Sequence, residues 1–283
     1  MNRIDGRQLA ASIRADLTAR VSTMPTKPGL AIVLVGDDVA SHTYVRLKEK
    51  AARDIGLRFV RCDFPASVDE ATVLDRIAAL NADPSIHGTI VQLPLPSQLN
   101  ADRIVNAIAP AKDADGFLKA SLEKFRVNAN ALPPVLCEGI WRLIASTGKS
   151  YTDARAVVLA NSTTFGEPMA LLLTRNGLDV QITYPPFHHS QDLTRLADVI
   201  VVAIGRPHFL KANDMKPGAT LIDVGYTRVA GRDVGDVDAA DIANTPGWLT
   251  PVPGGVGPVT VAVLLERTVT LSYSANFPGP SGL

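Results

Sequence analysis

The chain has 283 residues, and its 28 lysines and arginines balance 28 aspartates and glutamates. Hydrophobic residues make up 46% of the sequence and charged residues 20%, which excludes an intrinsically disordered chain. Zero net charge without a basic cluster argues against nucleic acid as the main partner, because phosphate binding needs concentrated cations. The length suits one large domain or two domains of roughly 140 residues each.

The two cysteines, Cys62 and Cys137, allow one disulfide at most and lack the spacing of zinc ligands. We therefore expect a reduced, cytoplasmic protein without a metal site. No apolar run reaches the roughly 18–20 residues that cross a bilayer, so no membrane segment is predicted. Residues 1–17 carry charges through an amphipathic helical pattern, which is unlike a signal peptide.

Strand-like and helix-like segments alternate along both halves of the chain. In the first half, strands are predicted at 30–35, 59–64 and 88–93, and helices at 41–55 and 71–81. In the second half, helices are predicted at 138–146 and 167–176, and strands at 156–160, 179–184, 199–203, 219–224 and 247–249. This rhythm predicts an α/β fold with mainly parallel sheets covered by helices.

The proline-containing stretch 128–134 is the best candidate for a domain boundary. We expect two α/β domains with a cleft between them, formed by residues 1–135 and by residues 136–258. A helix at about 259–270 is expected to pack back on the first domain, and 272–283 to form a flexible tail.

The predicted helix after the first strand carries three polar side chains at helical spacing. Ser41, Tyr44 and Lys48 share one helix face near the end of a strand, where ligands bind in such sheets. One interpretation is an ordinary solvated helix face. The other is a site in which Tyr44 stacks on a ring and Lys48, screened from water, transfers a proton.

Two further polar positions belong to the first half. Gln92 stands in an apolar strand, and a buried amide needs partners, so it either pairs with backbone or points into the cleft. Asp113 and Asp115 come just before Gly116, and this stretch is either an ordinary Asp-Gly turn or part of a site.

In the second half, the strand 156–160 runs through a small-residue turn into a helix. This arrangement offers backbone N–H groups to a pyrophosphate, although the turn has a single glycine, Gly166, where the dinucleotide fingerprint has three. Two other predicted strands also end in glycine-containing loops, at Gly205 and Gly225. The loop 250–260, with three glycines and three prolines, is interpreted as a wall that contacts a ligand.

Together and in this order, these segments resemble the bifunctional methylenetetrahydrofolate dehydrogenase/methenyltetrahydrofolate cyclohydrolase family (the FolD type). The resemblance covers roughly residues 1–270. Its motifs are the Ser41/Tyr44/Lys48 helix, VQLPLP (91–96), DADG (113–116), STTFGEP (162–168), IGRP (204–207), IDVG (222–225), VGDVD (234–238) and PGGVGPVT (253–260).

The resemblance implies a role for each matching residue in the folate site. Lys48 would transfer protons in the cyclohydrolase step, Gln92 would orient it, and Tyr44 would stack on the aminobenzoyl group of the folate. Asp115 would hold the pterin ring. The other implied contacts to the folate are Ser41, Leu93, Pro94, Gly254, Gly255 and Pro258.

For the second domain, at 136–258, the resemblance implies a Rossmann-like dinucleotide-binding domain with NADP or NAD as its cofactor, in a homodimeric enzyme. The implied cofactor contacts are Asn161, Ser162, Thr163, Gly166, Ala203, Gly205, Arg206, Asp223 and Gly225. The reaction would oxidise 5,10-methylenetetrahydrofolate to the methenyl form and hydrolyse that form to 10-formyltetrahydrofolate, in one-carbon metabolism. Hydride transfer depends mainly on positioning the two rings.

The sequence departs from the family where the nucleotide phosphate is expected. Asn161 replaces a common arginine, and a His-Ser pair at the next strand end aligns with Tyr184 and Pro185. A lost cation removes a contact worth about 1.5–3 kcal/mol to a 2′-phosphate, which leaves NADP and NAD both open. No Asp or Glu ends that strand to bind a ribose, and His188 and His189 are nearby.

Further departures lie at 134–137 and 117–125. They leave open a divergent paralogue with the Lys48-dependent activity alone, or a folate- or nucleotide-binding protein without catalysis. The Tyr44, Lys48 and Gln92 set favours an enzyme, since a binding protein does not need the lysine. A dehydrogenase of the shikimate type would lack VQLPLP and PGGVGP.

Overall fold

The computed structural model describes residues 1–276 as two compact units. The first unit combines Ser12–Lys124 with the chain from Val261 onward, and the second combines Met1–Ala11 with Phe125–Thr260. These units divide the chain after residues 11, 124 and 260, whereas the sequence pattern placed the boundaries after 135 and 258.

The chain alternates strands and helices. The strands are β1 (Asn2–Arg3), β2 (Gly29–Val35), β3 (Arg58–Phe64), β4 (Gly88–Val91), β5 (Arg155–Ala160), β6 (Asp179–Thr183), β7 (Val199–Ala203), β8 (Thr220–Asp223), β9 (Thr227–Val229), β10 (Arg232–Val234) and β11 (Trp248–Leu249). The helices are α1 (Gly6–Ser22), α2 (Val39–Asp54), α3 (Glu70–Ala82), α4 (Ala101–Val105), α5 (Lys119–Val127), α6 (Val135–Ala145), α7 (Thr163–Arg175), α8 (Ser190–Thr194) and α9 (Val256–Asn276).

The sheet of the first unit has the parallel order β3-β2-β4, with β2 in the middle. Every residue of β2 is buried, because its aliphatic sequence lies between neighbours on both edges and packed side chains on both faces. Val33 and Val35 of this strand pack with Ile77 of α3 in the core. The predicted parallel α/β architecture is confirmed in this unit.

The sheet of the second unit has the order β1-β11-β8-β7-β5-β6, and all of its pairs are parallel. The chain leaves β5 for β6 on one side and then returns to β7 on the other side. Strand order therefore reverses between β5 and β7, and open α/β sheets bind ligands beyond the strand ends at such a point. The antiparallel hairpin β9–β10 was not predicted.

The N-terminus joins the second unit through backbone hydrogen bonds. Asn2 N donates to Gly247 O at 2.7 Å, and Ile4 N donates to Leu249 O at 2.9 Å. A strand of two residues has too few side chains to show alternation, so the sequence pattern does not reveal it.

The ends of two predicted elements, β4 and α7, need correction. β4 ends at Val91, not at 93, because Pro94 cannot donate to a ladder and restricts the residue before it. α7 begins at Thr163, not at 167, directly after Ser162 as its N-cap residue, so Pro168 lies inside the helix and not in its first turn.

The predicted tail is wrong in its first part, because α9 continues to Asn276 and buries Ser272. The Ser272 hydroxyl donates to Val269 O at 2.7 Å, which satisfies it inside the helix. Residues 277–283 of that predicted tail lie outside the described residues. No helix within residues 1–276 combines the length and apolar character needed to cross a membrane.

Candidate active site

The start of α2 positions the candidate catalytic residues of the first unit. Asp38 caps the helix, and its carboxylate accepts a hydrogen bond from Ser41 N at 2.7 Å. Hydrogen bonds from the backbone N–H and from the side chain of Ser41 lower the pKa of Asp38. Ser41 is buried, whereas Tyr44 and Lys48 are half-buried on the same helix face. The capped end therefore fixes where this face lies relative to the end of β2.

Lys48 and Gln92 are brought together across the first unit. Lys48 Nζ donates to Gln92 Oε1 at 2.9 Å, and Gln92 Nε2 donates to Leu93 O at 2.6 Å. Gln92 N donates to Val33 O at 2.8 Å, which anchors its backbone beside β2. Both ends of the amide are thus engaged, and its oxygen faces the ammonium group.

The two aspartates of the DADG turn have different surroundings. Asp113 accepts hydrogen bonds from Gly116 N at 2.8 Å and Leu118 N at 3.1 Å, one on each carboxylate oxygen. It therefore holds the turn closed, while Asp115 lies near Lys48, whose charge acts on its carboxyl group. The sequence alone could not distinguish which aspartate shapes the turn.

Burial moves both charged groups of this site towards their neutral forms. It lowers the pKa of Lys48, although the charge of Asp115 opposes this shift. Burial also raises the pKa of Asp115, and Lys48 and Arg267 oppose that shift. A lysine with a lowered pKa can accept and return a proton near neutral pH.

Arg267 is a functional-site residue that sequence reasoning missed. It lies on α9 with 7% exposure, and its charge favours the ionised form of Asp115. A charged pair, Glu266 and Arg267, inside an otherwise apolar helix was the available signal. Buried arginines are rare without a counter-charge, which makes such a position informative.

In the second unit, the ends of β5 and β7 are linked at the point where strand order reverses. Asn161 Nδ2 donates to Ile204 O at 2.7 Å, so this side chain joins the two loops. Ser162 is the N-cap residue of α7, but its side chain makes no capping hydrogen bond. The first N–H groups of a helix that lacks such a cap are suited to an anionic ligand.

Gly166, in the first turns of α7, lies against the Tyr184 side chain. A Cβ at Gly166 would come within 2.7 Å of Tyr184 Oη and 3.0 Å of Cε1. Glycine is therefore required for the tyrosine ring to take this position.

Two buried carboxylates organise the loops after β7 and β8. Asp223 accepts hydrogen bonds from Gly225 N, Asp236 N and Val237 N at 2.9–3.0 Å. Asp236 Oδ2 accepts from Ile204 N at 2.7 Å and from Gly205 N at 3.0 Å. Burial raises the pKa of Asp223 to about 7, with a further contribution from the charge of Asp236.

These contacts show that Asp223 is engaged by protein backbone. Gly225 is required beside it, because a Cβ there would collide with the Asp236 carboxylate. Asp236 is a second residue that sequence reasoning did not single out, although it lies in the VGDVD motif. Burial raises the pKa of Asp236 as well.

The remaining predicted residues of the second unit lie at its loop ends. Ala203 ends β7, Thr163 begins α7, and the Arg206 guanidinium lies 5.2 Å from the centre of the Phe187 ring. The predicted folate contacts Gly254, Gly255 and Pro258 also belong to this unit. Gly254 has a φ of +109°, and Gly255 lies so close to Thr250 and Pro251 that a side chain would not fit.

No group of three or more histidines, cysteines, aspartates or glutamates suited to a metal ion occurs in the part of the chain that the structure describes. Both cysteines are buried and free.

Comparisons with known proteins agree across nearly the whole chain. Residues 4–115 match the model of the tetrahydrofolate dehydrogenase/cyclohydrolase catalytic domain, and residues 134–276 match that of the NAD(P)-binding domain of the same family. A bifunctional protein FolD from Azoarcus sp. (strain BH72) is 43% identical over 274 residues, or 94% of each chain.

Solved structures show the same likeness. The bifunctional FolD methylenetetrahydrofolate dehydrogenase/cyclohydrolase of Campylobacter jejuni is 34% identical, with a TM-score of 0.92, and the match covers 97% of this chain and 99% of that one. A FolD from Trypanosoma brucei, solved with NADP cofactor and inhibitor, is also 34% identical, with a TM-score of 0.90. That match covers 96% of this chain and 97% of the other.

Proposed function

The chain belongs to the tetrahydrofolate dehydrogenase/cyclohydrolase family, and from this we propose that it is a bifunctional enzyme of one-carbon metabolism. It oxidises 5,10-methylenetetrahydrofolate to 5,10-methenyltetrahydrofolate with a nicotinamide dinucleotide. It then hydrolyses the methenyl form to 10-formyltetrahydrofolate. The observation that carries this proposal is the hydrogen bond between Lys48 and Gln92, next to Asp115.

Lys48 performs the proton transfer of the hydrolytic step. Water adds to the cationic methenyl carbon and loses one proton. The carbon–nitrogen bond to N5 then breaks as N5 takes up a proton and the hydroxyl group loses its own, which leaves the formyl group on N10 and releases one proton in total. Burial lowers the pKa of Lys48, which makes the neutral amine easier to reach than in an exposed lysine, and the amine accepts that proton from the attacking water. Gln92 Oε1 holds the amine in one orientation, which keeps the proton acceptor in place.

The folate ring system is held by groups around Lys48. Tyr44, one helical turn before Lys48, offers a flat ring for stacking on the aminobenzoyl group. Asp115 binds the pterin through hydrogen bonds that its carboxylate oxygens accept. Ser41, Leu93 and Pro94 complete the contacts that we assign to the folate.

The second unit carries the dehydrogenase half of the reaction. It is an NAD(P)-binding domain, and the nicotinamide ring, when bound, accepts the hydride. Ser162 and Thr163 at the start of α7 are suited to the pyrophosphate, since the first N–H groups of this helix lack a side-chain cap. Gly166 N donates to Ser162 O at 3.0 Å, so we assign Gly166 the role of making room for Tyr184 beside the dinucleotide. We assign further dinucleotide contacts to the loops after β5, β7 and β8, at Asn161, Ala203, Gly205, Arg206 and Gly225.

Asp223 supports this site by holding the loop after β8, since its oxygens are occupied by backbone N–H groups. The protein works as a homodimer in the cytoplasm, where two buried, free cysteines are stable.

One assay with two readouts tests this function. Purified protein is given 5,10-methylenetetrahydrofolate with NAD or with NADP, and both the reduced cofactor and 10-formyltetrahydrofolate are quantified. Formation of both products supports the bifunctional enzyme. A protein that forms neither, or that reduces the cofactor without forming the 10-formyl product, contradicts it.

A further inference from the structure

Tyr184 directly follows β6, and its phenol lies over the first turns of α7. A Cβ on Gly166 would lie 2.7 Å from Tyr184 Oη and 3.0 Å from Tyr184 Cε1. The tyrosine ring therefore packs directly on this glycine. In a dinucleotide-binding βαβ unit, the end of the second strand faces the adenosine ribose, about 20 residues beyond the phosphate turn. Tyr184 occupies this position in the sequence β5-α7-β6.

The hydroxyl group of Tyr184 is buried, and within residues 1–276 it has no hydrogen-bond partner. Buried hydroxyl groups nearly always have a partner, and leaving one unpaired is unfavourable. A polar group without a partner at this place in the fold indicates a ligand that supplies one. A ribose hydroxyl can both donate to the phenol and accept from it.

The charge next to this phenol is negative. Glu167 follows Gly166 in α7, and its carboxylate contributes to the raised pKa of Tyr184, together with burial. Among the described residues, Glu167 is the one whose charge shifts the pKa of the Tyr184 phenol. No ion pair within residues 1–276 joins Glu167 to a lysine or an arginine. A 2′-phosphate would therefore meet a carboxylate here and not a cation.

We propose that Tyr184 and Glu167 select NAD over NADP. Tyr184 Oη exchanges a hydrogen bond with a hydroxyl of the adenosine ribose. The Glu167 carboxylate accepts from the 2′-hydroxyl and repels a 2′-phosphate. This inference rests on the proposed function, because it assumes that the second unit binds a nicotinamide dinucleotide.

Equilibrium binding tests the selection without relying on turnover. Isothermal titration calorimetry is run with NAD, NADP, ADP-ribose and 2′-phospho-ADP-ribose on the full chain. We expect ADP-ribose to bind at least about tenfold more tightly than its 2′-phosphorylated form, and NAD more tightly than NADP. Tighter binding of the phosphorylated ligands overturns the inference and leaves the bifunctional enzyme intact, whereas binding of none of the four overturns both.

A charge reversal with a matched control separates a local effect from general attraction. Glu167→Arg is expected to tighten 2′-phospho-ADP-ribose binding by about tenfold or more, because it places a guanidinium beside the phosphate. Asp179→Arg makes the same change in charge at the opposite end of β6, on an exposed residue, and is expected to change this affinity less than twofold. Equal effects of the two variants would overturn the role of Glu167.

Tyr184→Phe gives a second, independent readout. Removing a buried hydroxyl without a partner is expected to raise the melting temperature of the ligand-free protein by roughly 2–4 °C. The same change is expected to weaken ADP-ribose binding by about five- to tenfold. A Tyr184→Phe variant that binds ADP-ribose as tightly as the wild type would contradict the role of the hydroxyl group.

Discussion

Lys48 Nζ donates a hydrogen bond of 2.9 Å to Gln92 Oε1, which joins the middle of α2 to the residue that follows β4. The amide nitrogen of Gln92 is engaged by Leu93 O, so the glutamine cannot rotate without losing a second bond. A neutral acceptor beside a lysine positions the amine without adding a negative charge, which would raise its pKa strongly. The pair therefore combines a fixed position of the amine with a pKa that burial holds below that of an exposed lysine.

Gln92→Met tests this positioning role, because methionine has a similar length and cannot accept the bond as a carbonyl does. Loss of the acceptor disfavours the ammonium form of Lys48, so the pKa of Lys48 falls further. The rising limb of the pH–rate profile of hydrolysis should therefore move to lower pH by about one pH unit. We also expect kcat to fall on the order of tenfold with little change in KM.

The pH–rate profile of methenyltetrahydrofolate hydrolysis provides the measurement. Gln98→Met is the matched control, since Gln98 is an exposed glutamine whose side chain donates to Ala66 O. Its profile should overlay that of the wild type. An unshifted limb in Gln92→Met would show that Gln92 does not tune Lys48.

The sequence predicted the first-unit site in part because helical spacing and strand ends are local properties. Ser41, Tyr44 and Lys48 are brought to one face of α2 by spacing alone, and the strand before Gln92 is recognisable from its apolar run. The different surroundings of Asp113 and Asp115 depend on tertiary contacts. No local sequence pattern indicates which of the two carboxylates accepts hydrogen bonds from backbone N–H groups.

Errors in the predicted fold also have physical causes. Strand β1 exists because its backbone pairs with β11, which is distant in the chain. Ser272, in the expected tail, bonds to its own helix and is buried, and a serine near a chain end does not reveal such a contact. Arg267 and Tyr184 each owe their role to neighbours that the sequence does not reveal.

Gly166→Ala is expected to destabilise the protein by about 1–3 kcal/mol, because the added methyl group would overlap the Tyr184 hydroxyl. Chemical denaturation measures the free energy of unfolding. Gly257→Ala is the matched control, since Gly257 lies in the first turn of α9 and a Cβ there has no neighbour within 4 Å. Alanine in place of glycine in a helix should raise stability by about 0.5–1 kcal/mol in the control.

The double variant Gly166→Ala/Tyr184→Ala should recover most of the lost stability, since it removes the ring that the methyl group meets. If Gly166→Ala is as stable as the wild type, the close packing of Tyr184 on α7 is refuted.

The free energy of unfolding should fall as the pH rises from about 4 to about 7, because of the buried Asp223. Its pKa is about 7 in the folded protein, against an ordinary 3.8, so the folded state holds a proton that the unfolded chain releases. The contribution of Asp223 to the free energy of unfolding is therefore full below pH 3.8 and is lost as the pH rises to about 7. Asp236 and Asp115 act in the same direction, because burial also raises their pKa values.

Asp236→Asn should make this pH dependence shallower, because it removes the charge that helps to raise the pKa of Asp223. Urea titrations across this pH range give the free energy of unfolding. Asp241→Asn, at an exposed carboxylate that accepts from Ala212 N at 2.7 Å, should keep the wild-type dependence. Identical pH dependence in Asp236→Asn and the wild type would count against the coupling of the two buried carboxylates.

The most direct test of the whole account is the hydrolysis of methenyltetrahydrofolate by Lys48→Ala, measured together with circular dichroism and dinucleotide binding. General acid–base catalysis is worth about 10²–10⁴ in rate, so we expect at least a hundredfold loss of hydrolysis in a folded protein that still binds its cofactor. Lys50→Ala is the control, since Lys50 lies on the exposed face of α2 and pairs with Asp54 at 2.7 Å. Wild-type activity in Lys50→Ala with near-complete loss in Lys48→Ala is the predicted result, and retained hydrolysis in a folded Lys48→Ala protein would contradict it.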